Sequence, residues 1–421
     1  MSVVQHGVPQ HRPEGRRVGV GLLGFGTIGS AVARLIDDAT ATFAARGFSP
    51  HVVAALVRSR RDRTPAVPLT TDPDEFFAAK PDVVIEALGG VEPARTLVYR
   101  ALDAGLSVVT ANKSLIAAHG DALADLARRR GVALRFDASV LAGVPFLGTF
   151  ERRPLIARVR SVQGLLNGTS GYLLESMDAG RSFGDALTEA QRLGFAEPDP
   201  SADVSGRDAA EKLAILIRLF AQRRVSPDAI PTRGLDSLTA SDLAGARACG
   251  GVIKAASAAD WDEDGVRGFV GPAFLDNAHP LARVSGTTNG VLMATATGTH
   301  AYIGPGAGPD VTAVTLLDDL AEIVTEGRVR PPEPPPAGDP VACARPASAW
   351  FARLPRVDDS SAIAELLGSY GLWCSTLVPA AAGTYVLTMC ADASTAAQAF
   401  DAVRRSTGSE VLALPVLEAR C

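Results

Sequence analysis

The chain has 421 residues, 47% hydrophobic and 21% charged, with a formal net charge of -5, a balance that gives two or three packed domains and excludes a mainly disordered chain. An acidic surplus with no basic cluster interleaved with aromatics excludes nucleic acid as the main partner, and no run reaches the ~18 apolar residues of a membrane span. The five cysteines, Cys249, Cys343, Cys374, Cys390 and Cys421, fall at no zinc or C-x-x-C spacing, and residues 1–16 form a polar tail without an apolar signal core, so free thiols in a cytoplasmic protein are expected.

In chain order, residues 18–24 read as a buried parallel strand running into Gly24-Phe25-Gly26-Thr27-Ile28-Gly29, with a helix over 30–36 behind it. Between strand and helix, G-x-G-x-x-G is a dinucleotide fingerprint: the first glycine turns the chain, the second admits a pyrophosphate, and the third packs helix on strand. The next strand, 51–57, ends in Arg58-Ser59-Arg60-Arg61, where a site for NAD would carry an acid for the ribose hydroxyl. Arginine there suits a 2'-phosphate, so NADP(H) is expected over NAD(H), the other reading being a solvated basic loop.

A further strand over 81–90 ends in Gly89 and Gly90, where a ligand can approach the backbone. A helix over 93–104 leads to a strand over 106–113 that presents Thr110, Asn112 and Lys113 at the ligand edge of the sheet. Residues 132–145 read as the last strand of this domain, which spans 17–150 and is completed by 305–330.

A second domain, 151–304, opens with a strand over 158–166, a turn at Asn167-Gly168-Thr169-Ser170 and a helix over 171–179. An acidic loop then runs from Gly194 through Glu197 and Asp203 to Ser205 and Gly206, which cap a helix carrying Asp208 and Lys212. These two stand four apart on the stripe that Ile215 and Leu219 continue, whereas Arg207, Glu211, Arg218 and Gln222 form the wet stripe. The pair is either an ordinary surface ion pair or a pair facing a cleft. Lys80, Lys113, Lys212 and Lys254 are the only lysines in the chain. Lysine, unlike arginine, releases a proton when desolvated, so its rarity marks these positions for chemistry or reflects composition drift.

Residues 242–259 are helical or mixed, and 268–275 and 291–299 read as strands. Gly304-Pro305-Gly306-Ala307-Gly308 is either a loop that closes over a cofactor or a plain connection to a helix over 312–324. A stiff linker, 331–347, begins with Pro331-Pro332-Glu333-Pro334-Pro335-Pro336, and 348–421 follows a βαββαβ order compatible with a ferredoxin-like module. A chain ending near Pro331 is therefore expected to fold and keep its chemistry.

Taken together, these residues resemble homoserine dehydrogenase from Val18 to the C-terminus. The resemblance rests on Gly24 to Gly29, Ala111-Asn112-Lys113, residues 138–145, Leu166-Asn167-Gly168-Thr169, Gly194 through Lys212, His279-Pro280-Leu281, and Gly304 to Gly308. It implies an α/β protein with an N-terminal Rossmann-type sheet, an α+β substrate and dimerisation domain and a C-terminal ACT-like domain. The implied reaction is reversible NAD(P)H-dependent reduction of L-aspartate 4-semialdehyde to L-homoserine, on the route to threonine and methionine. Under it Lys212 protonates the carbonyl oxygen and Lys113 lies between nicotinamide and substrate; Glu197 and Asp208, with Asp203, hold the substrate. Gly24, Phe25, Gly26, Thr27, Ile28, Gly29, Arg58, Gly89, Thr110, Lys113, Gly194 and Gly306 touch the cofactor. A sodium-like cation takes Asp137, Val140, Ala142 and Val144. A homodimer or tetramer and an amino-acid effector at the terminal domain are also implied.

Four departures bear on this. Asp137 stands where the family has glutamate, Leu141 where it has glycine or alanine, Gly171 where it has asparagine, and Asp358-Asp359-Ser360-Ser361 replaces its Asp-x-Pro-Gly turn. They keep two alternatives open: a paralogue acting on a related amino-acid semialdehyde, and a non-catalytic NADP-binding regulator. The intact Glu197, Asp208 and Lys212 speak against the second.

Overall fold

Val18, Val20, Leu22 and Leu23 are almost wholly buried, so both faces of the strand that carries them have to be covered, as in a parallel sheet between helices. The computed structural model describes residues 15–59, 67–152, 158–326, 339–356 and 360–417. Arg60, Arg61, the proline run and Asp358-Asp359 lie outside the described residues.

The N-terminal elements are β1 (Arg16–Leu23), α1 (Thr27–Asp38), α2 (Thr40–Ala45), β2 (Phe48–Leu56), β3 (Leu69–Thr70), α3 (Pro73–Ala78), β4 (Val83–Glu86), α4 (Ala94–Asp103), β5 (Ser107–Thr110), α5 (Lys113–Arg130) and β6 (Leu134–Arg135). Next come α6 (Ala138–Leu141), α7 (Leu147–Arg152), β7 (Val159–Leu165), α8 (Gly168–Asp178), α9 (Phe183–Arg192), α10 (Ser201–Val204), α11 (Arg207–Ala221) and α12 (Ala240–Ala248). The remainder is β8 (Gly251–Trp261), β9 (Val266–Asp276), β10 (Thr288–Thr295), β11 (Gly298–Pro305), α13 (Pro309–Glu326), β12 (Cys343–Ala344), β13 (Trp350–Leu354), α14 (Ser360–Ser369), β14 (Cys374–Ala380), β15 (Gly383–Thr388), α15 (Ala393–Thr407) and β16 (Leu412–Pro415).

Contacts divide the chain into two units, the first ending at Ser139 and regaining the chain from Pro309 to Pro331. This break falls earlier than the expected boundary at 150. In the first unit the strands are parallel in the order β3-β2-β1-β4-β5-β6, the Rossmann order, whose switch point lies between β1 and β4. α13 returns to pack Ala313, Leu316, Leu317 and Leu320 against Ala31, Val32 and Ile36 of α1.

The second unit is built on a six-stranded sheet, β11-β10-β7-β8-β9-β12. α8, α11 and α12 pack against its central strands. The terminal strands form a separate antiparallel sheet, β14-β15-β13-β16, the ferredoxin-like order. One face of this small sheet is covered by α14 and α15 through Ile363, Leu367, Ala399, Phe400 and Val403. Its other face shares a core with the helices and strands of the six-stranded part of the unit: Phe351, Tyr385 and Leu414 join Leu173, Leu243, Ile253 and Phe274. The Phe351 ring stacks between Phe274 and Tyr385, with centroids 5.4 Å and 5.7 Å away. Tyr385 Oη donates to Ser241 O at 2.8 Å, Arg353 Nε lies 3.1 Å from Asp242 Oδ1, and Arg233 Nη1 donates to Ala413 O at 2.8 Å.

Several expectations change. The strand read over 132–145 shrinks to Leu134–Arg135, and 138–141 of that run are helical in α6; a largely buried run does not by its period distinguish strand from helix. The turn at Asn167 to Ser170 is the cap and first turn of α8. Residues 242–259 resolve into α12 and β8, parted at Gly250, whose φ of 84 ends the helix. The expected linker contains β12, which pairs with Val266 and Arg267 of β9. Cys390 is disulfide-bonded, so the expectation of five free thiols is corrected; Cys249, Cys343 and Cys374 are free. Pairing between distant cysteines leaves no spacing signal.

The shared core argues against the stand-alone folding read from the proline run. A chain ending at residue 338 is expected to be recovered mainly as aggregate, because Leu243 and Phe274 would lose their cover. In the full chain Phe351→Ala is expected to lower stability by about 3–5 kcal/mol, read from the urea midpoint.

Candidate active site

At the carboxyl end of β1, Gly24 adopts a φ of 103, and a Cβ there would lie 2.7 Å from Ala87 O. No other residue turns here while β1 and β4 stay paired. A Cβ on Gly26 would meet nothing within 4 Å, so the backbone is open to a ligand. Gly26 is also the N-cap of α1, and no side chain caps the helix. The amides of its first turn therefore point to the place where an anion is favoured by the helix dipole. Phe25, Gly26, Val57, Arg58 and Leu88 line a cavity of about 310 Å³ here. Arg58 is exposed at its rim and makes no hydrogen bond or ion pair among the described residues. An open glycine, uncapped amides and an uncommitted guanidinium form a donor set that fits the diphosphate and a further phosphate of a dinucleotide.

The other expected cofactor positions in this unit sit at the ends of β4 and β5. Gly89 is exposed, with a φ of 74. Thr110 is fully buried; its hydroxyl donates to Glu86 and accepts from the Asn112 amide, so its side chain is turned inward. Lys113 is the first residue of α5, capped by Asn112. A cation at a helix N-terminus works against the dipole by about 0.3–1 kcal/mol, so helix stability does not account for a lysine there.

In the second unit the acidic loop leads into α11 through Gly206, whose φ is 86; a Cβ there would lie 2.9 Å from Thr232 Cγ2, so the position has room for glycine alone. Along α11 Arg207 and Gln222 are exposed or half-buried, and Asp208, Lys212 and Ile215 are buried. The pair is therefore buried and not part of the wet stripe. Lys212 Nζ lies 2.9 Å from Asp208 Oδ2 and donates to Leu166 O at 2.8 Å. Two of its three N–H groups are thus directed at protein acceptors.

Asn167 completes the cluster and was not singled out as a site residue from the sequence. Its Nδ2 donates to Asp203 Oδ1 at 2.7 Å and to Asp208 Oδ2 at 2.8 Å, while its Oδ1 accepts from Ser170 N at 2.8 Å as the N-cap of α8. Ser170 Oγ donates to Asp203 O at 2.9 Å. The available signal was Asn before Gly-Thr-Ser at the end of an apolar strand, which is a cap pattern as much as a turn. A buried ion pair contributes little to net stability after desolvation, so the arrangement is better explained by what it can bind.

Not every expected residue joins this cluster. Glu197 is exposed, and its carboxylate makes no hydrogen bond or ion pair among the described residues; its backbone O accepts from Gln191 Nε2 at 3.2 Å. Gly194 ends the segment after α9 with a φ of 78. Gly306 follows β11, and a Cβ there would overlap the Asn289 carboxamide at 2.1 Å, so packing already requires this glycine. Of the expected cation set, Asp137 belongs to the first unit, where its N–H donates to Asp319 Oδ2 at 3.3 Å, and Val140, Ala142 and Val144 belong to the second. Val144 O already accepts from Phe146 N at 2.8 Å. Among the described residues no group of three or more His, Cys, Asp or Glu could hold a metal. Of the remaining lysines, Lys80 is exposed, and Lys254 donates to Val284 O at 2.8 Å with its pKa drawn below the usual value by burial.

Comparison with known proteins adds to this geometry. Residues 24–137 match the family described as homoserine dehydrogenase, NAD binding domain, and residues 145–321 the family described as homoserine dehydrogenase. The homoserine dehydrogenase of Corynebacterium glutamicum is 38% identical over 73% of this chain and 72% of its own length. That of Synechocystis sp. is 38% identical over 77% of each chain. Among solved structures, a homoserine dehydrogenase from Thiobacillus denitrificans has a TM-score of 0.88 at 30% identity and covers 96% of this chain and 99% of that one. A hyperthermophilic archaeal homoserine dehydrogenase in complex with NADPH has a TM-score of 0.63 at 25% identity, covering 74% of this chain and 98% of that one.

The Asn167 hub has a consequence for stability. Asn167→Ala removes the cap of α8, worth about 1 kcal/mol, and one donor shared by two carboxylates, worth about 1.5–3 kcal/mol. A fall of about 2–4 kcal/mol in unfolding free energy is expected by urea titration.

Proposed function

Since the chain belongs to the homoserine dehydrogenase family, NAD(P)-dependent oxidoreductases acting on a CH–OH group, we propose that its Lys212, Asp208, Asn167 and Asp203 cluster is the substrate end of the L-homoserine and L-aspartate 4-semialdehyde interconversion. The observation that carries this is the buried Lys212 ammonium beside two carboxylates. Bound NAD(P)(H) supplies or accepts the hydride. Lys212 holds its proton at the aldehyde oxygen, where charge develops, and returns to the ammonium form by taking a proton from water. Asp208 and Asp203 are assigned to the substrate ammonium. Glu197, exposed on the loop, is assigned to the same ammonium. Lys113 serves as the second proton-handling or positioning group.

The uncommitted guanidinium of Arg58 supports a preference for NADP(H) over NAD(H). A Na+ requirement through the Asp137 carboxylate is part of the same reading, as is a place on the route from aspartate to threonine and methionine in the cytoplasm. No helix among the described residues is long and apolar enough to cross a membrane. The ferredoxin-like order of the terminal sheet supports an ACT-type amino-acid sensor, and the exposed Trp373, Leu377 and Met389 beside its edge strand β14 support self-association as a dimer or tetramer. One observation keeps a related semialdehyde open as substrate: a Cβ on Gly171 would lie 2.9 Å from Gly286 O, so an asparagine there would displace that segment.

Purified protein is expected to reduce NADP(+) with L-homoserine at alkaline pH and to oxidise NADPH with aspartate 4-semialdehyde near neutrality; turnover only with a homologous amino alcohol establishes the paralogue instead. Lys212→Ala is expected to lower kcat by about 10² to 10⁴ with little change in cofactor affinity. Lys212→Arg, which keeps the charge but not an accessible proton, is expected to recover little; near-full turnover would reassign the proton to Lys113 or water. Arg58→Ala is expected to reduce the NADP/NAD ratio of kcat/KM by about tenfold or more, the scale of a charge-assisted hydrogen bond of about 1.5–3 kcal/mol.

A further inference from the structure

Glu86, the last residue of β4, is 0% exposed, yet no cation pairs with it among the described residues. Its carboxylate is surrounded by neutral donors: the Thr110 hydroxyl donates to Oε2, and Leu88 N and Asn112 Nδ2 donate to Oε1 at 2.7 Å and 3.4 Å. Thr110 Oγ1 in turn accepts from Asn112 N at 3.0 Å. Asn112 Nδ2 also donates to Gly90 O at 2.6 Å, and Asn112 Oδ1 accepts from Leu115 N at 3.0 Å, capping α5, whose first residue is Lys113. One acid thus fixes the backbone after β4, the backbone after β5 and the start of α5.

The arrangement is not explained by stability. A buried carboxylate with no counter-charge is desolvated without ion-pair compensation, and burial holds its carboxyl above the ordinary range despite the hydrogen bonds. A neutral group of the same shape would sit there more comfortably. What an ionised carboxylate does better is accept from several donors at once, because it has no hydrogen of its own to place. The two loops it ties together lie at the carboxyl ends of β4 and β5, the edge of a Rossmann sheet where a dinucleotide is bound.

We propose that Glu86 is a positioning residue for the nicotinamide half of the cofactor: its carboxylate sets the conformation of the Gly89-Gly90 loop and the placement of Lys113 through Thr110 and Asn112. The proposal rests on the dehydrogenase reading of the first unit. It assigns Thr110 an indirect role, with its hydroxyl committed to Glu86 rather than to the ligand.

The test uses the full chain with Glu86→Gln and Thr110→Val and two probes, NADPH and 2',5'-ADP, the second of which carries the adenosine phosphates but no nicotinamide. Glu86→Gln keeps the volume and presents an amide to three donors; Thr110→Val deletes only the bridging hydroxyl. Both variants are expected to weaken NADPH binding or lower kcat by about tenfold, a loss of about 1.4 kcal/mol, while 2',5'-ADP affinity stays within about twofold. The melting temperature of Glu86→Gln is expected to stay close to that of the wild type, since relief of an uncompensated charge offsets the donor left facing the new amide. NADPH affinity and kcat unchanged in both variants would overturn the proposal, as would equal weakening of both probes together with a fall in melting temperature, which is the signature of a merely structural role. If Glu86→Gln does not fold, Thr110→Val alone gives the reading. The binding arm needs no substrate, so absence of homoserine turnover in the wild type would strike the proposed reaction and leave this inference readable.

Discussion

A single carboxamide nitrogen, Asn167 Nδ2, lets two carboxylates and a lysine share one buried place. It ties Asp203 on α10 and Asp208 on α11 to the start of α8. The same side chain caps α8 through its oxygen, so the helix start and the acid cluster cannot form independently. That coupling explains why the chain places an asparagine at a helix cap where serine or aspartate serves as well for the cap alone: serine lacks the reach and the two donors, and aspartate would add a third negative charge.

The first unit solves a different problem, holding an anionic ligand with almost no side-chain charge. Uncapped amides of α1 and an open Gly26 face the place where the helix dipole favours an anion, and one arginine, Arg58, stands at the rim. One carboxylate of this unit, Glu86, is wholly internal and held by neutral donors.

Much of this was legible in the sequence because glycine, lysine and aspartate at fixed spacings have few structural excuses. The strand-turn-helix around Gly24 to Gly29, the buried face of α11 and the βαββαβ order of the terminal module all stand in the structure as read. Asn167 and Glu86 were not legible as site residues, since each acts through partners 24 to 41 residues away in sequence. The burial of Asp208 and Lys212 and the exposure of Glu197, a few residues earlier on the same acidic stretch, are likewise set by tertiary packing rather than by any local pattern. The run over 132–145 was misread because burial of most of its residues erases periodicity.

The terminal sheet touches the catalytic half through aromatic rings and through Arg233, whose side chain reaches Ala413 O while its backbone N donates to Val270 O at 2.9 Å. The next residues hold the acidic loop itself, Leu235 N donating to Val204 O at 3.1 Å. An array joined this way, apolar on one side and hydrogen-bonded on the other, has no soft joint at which to swing. In a calorimeter the second unit should therefore melt as one cooperative block, and whatever stiffens or loosens the small sheet is felt along the backbone that carries the acids, without any moving lid or hinge to convey it.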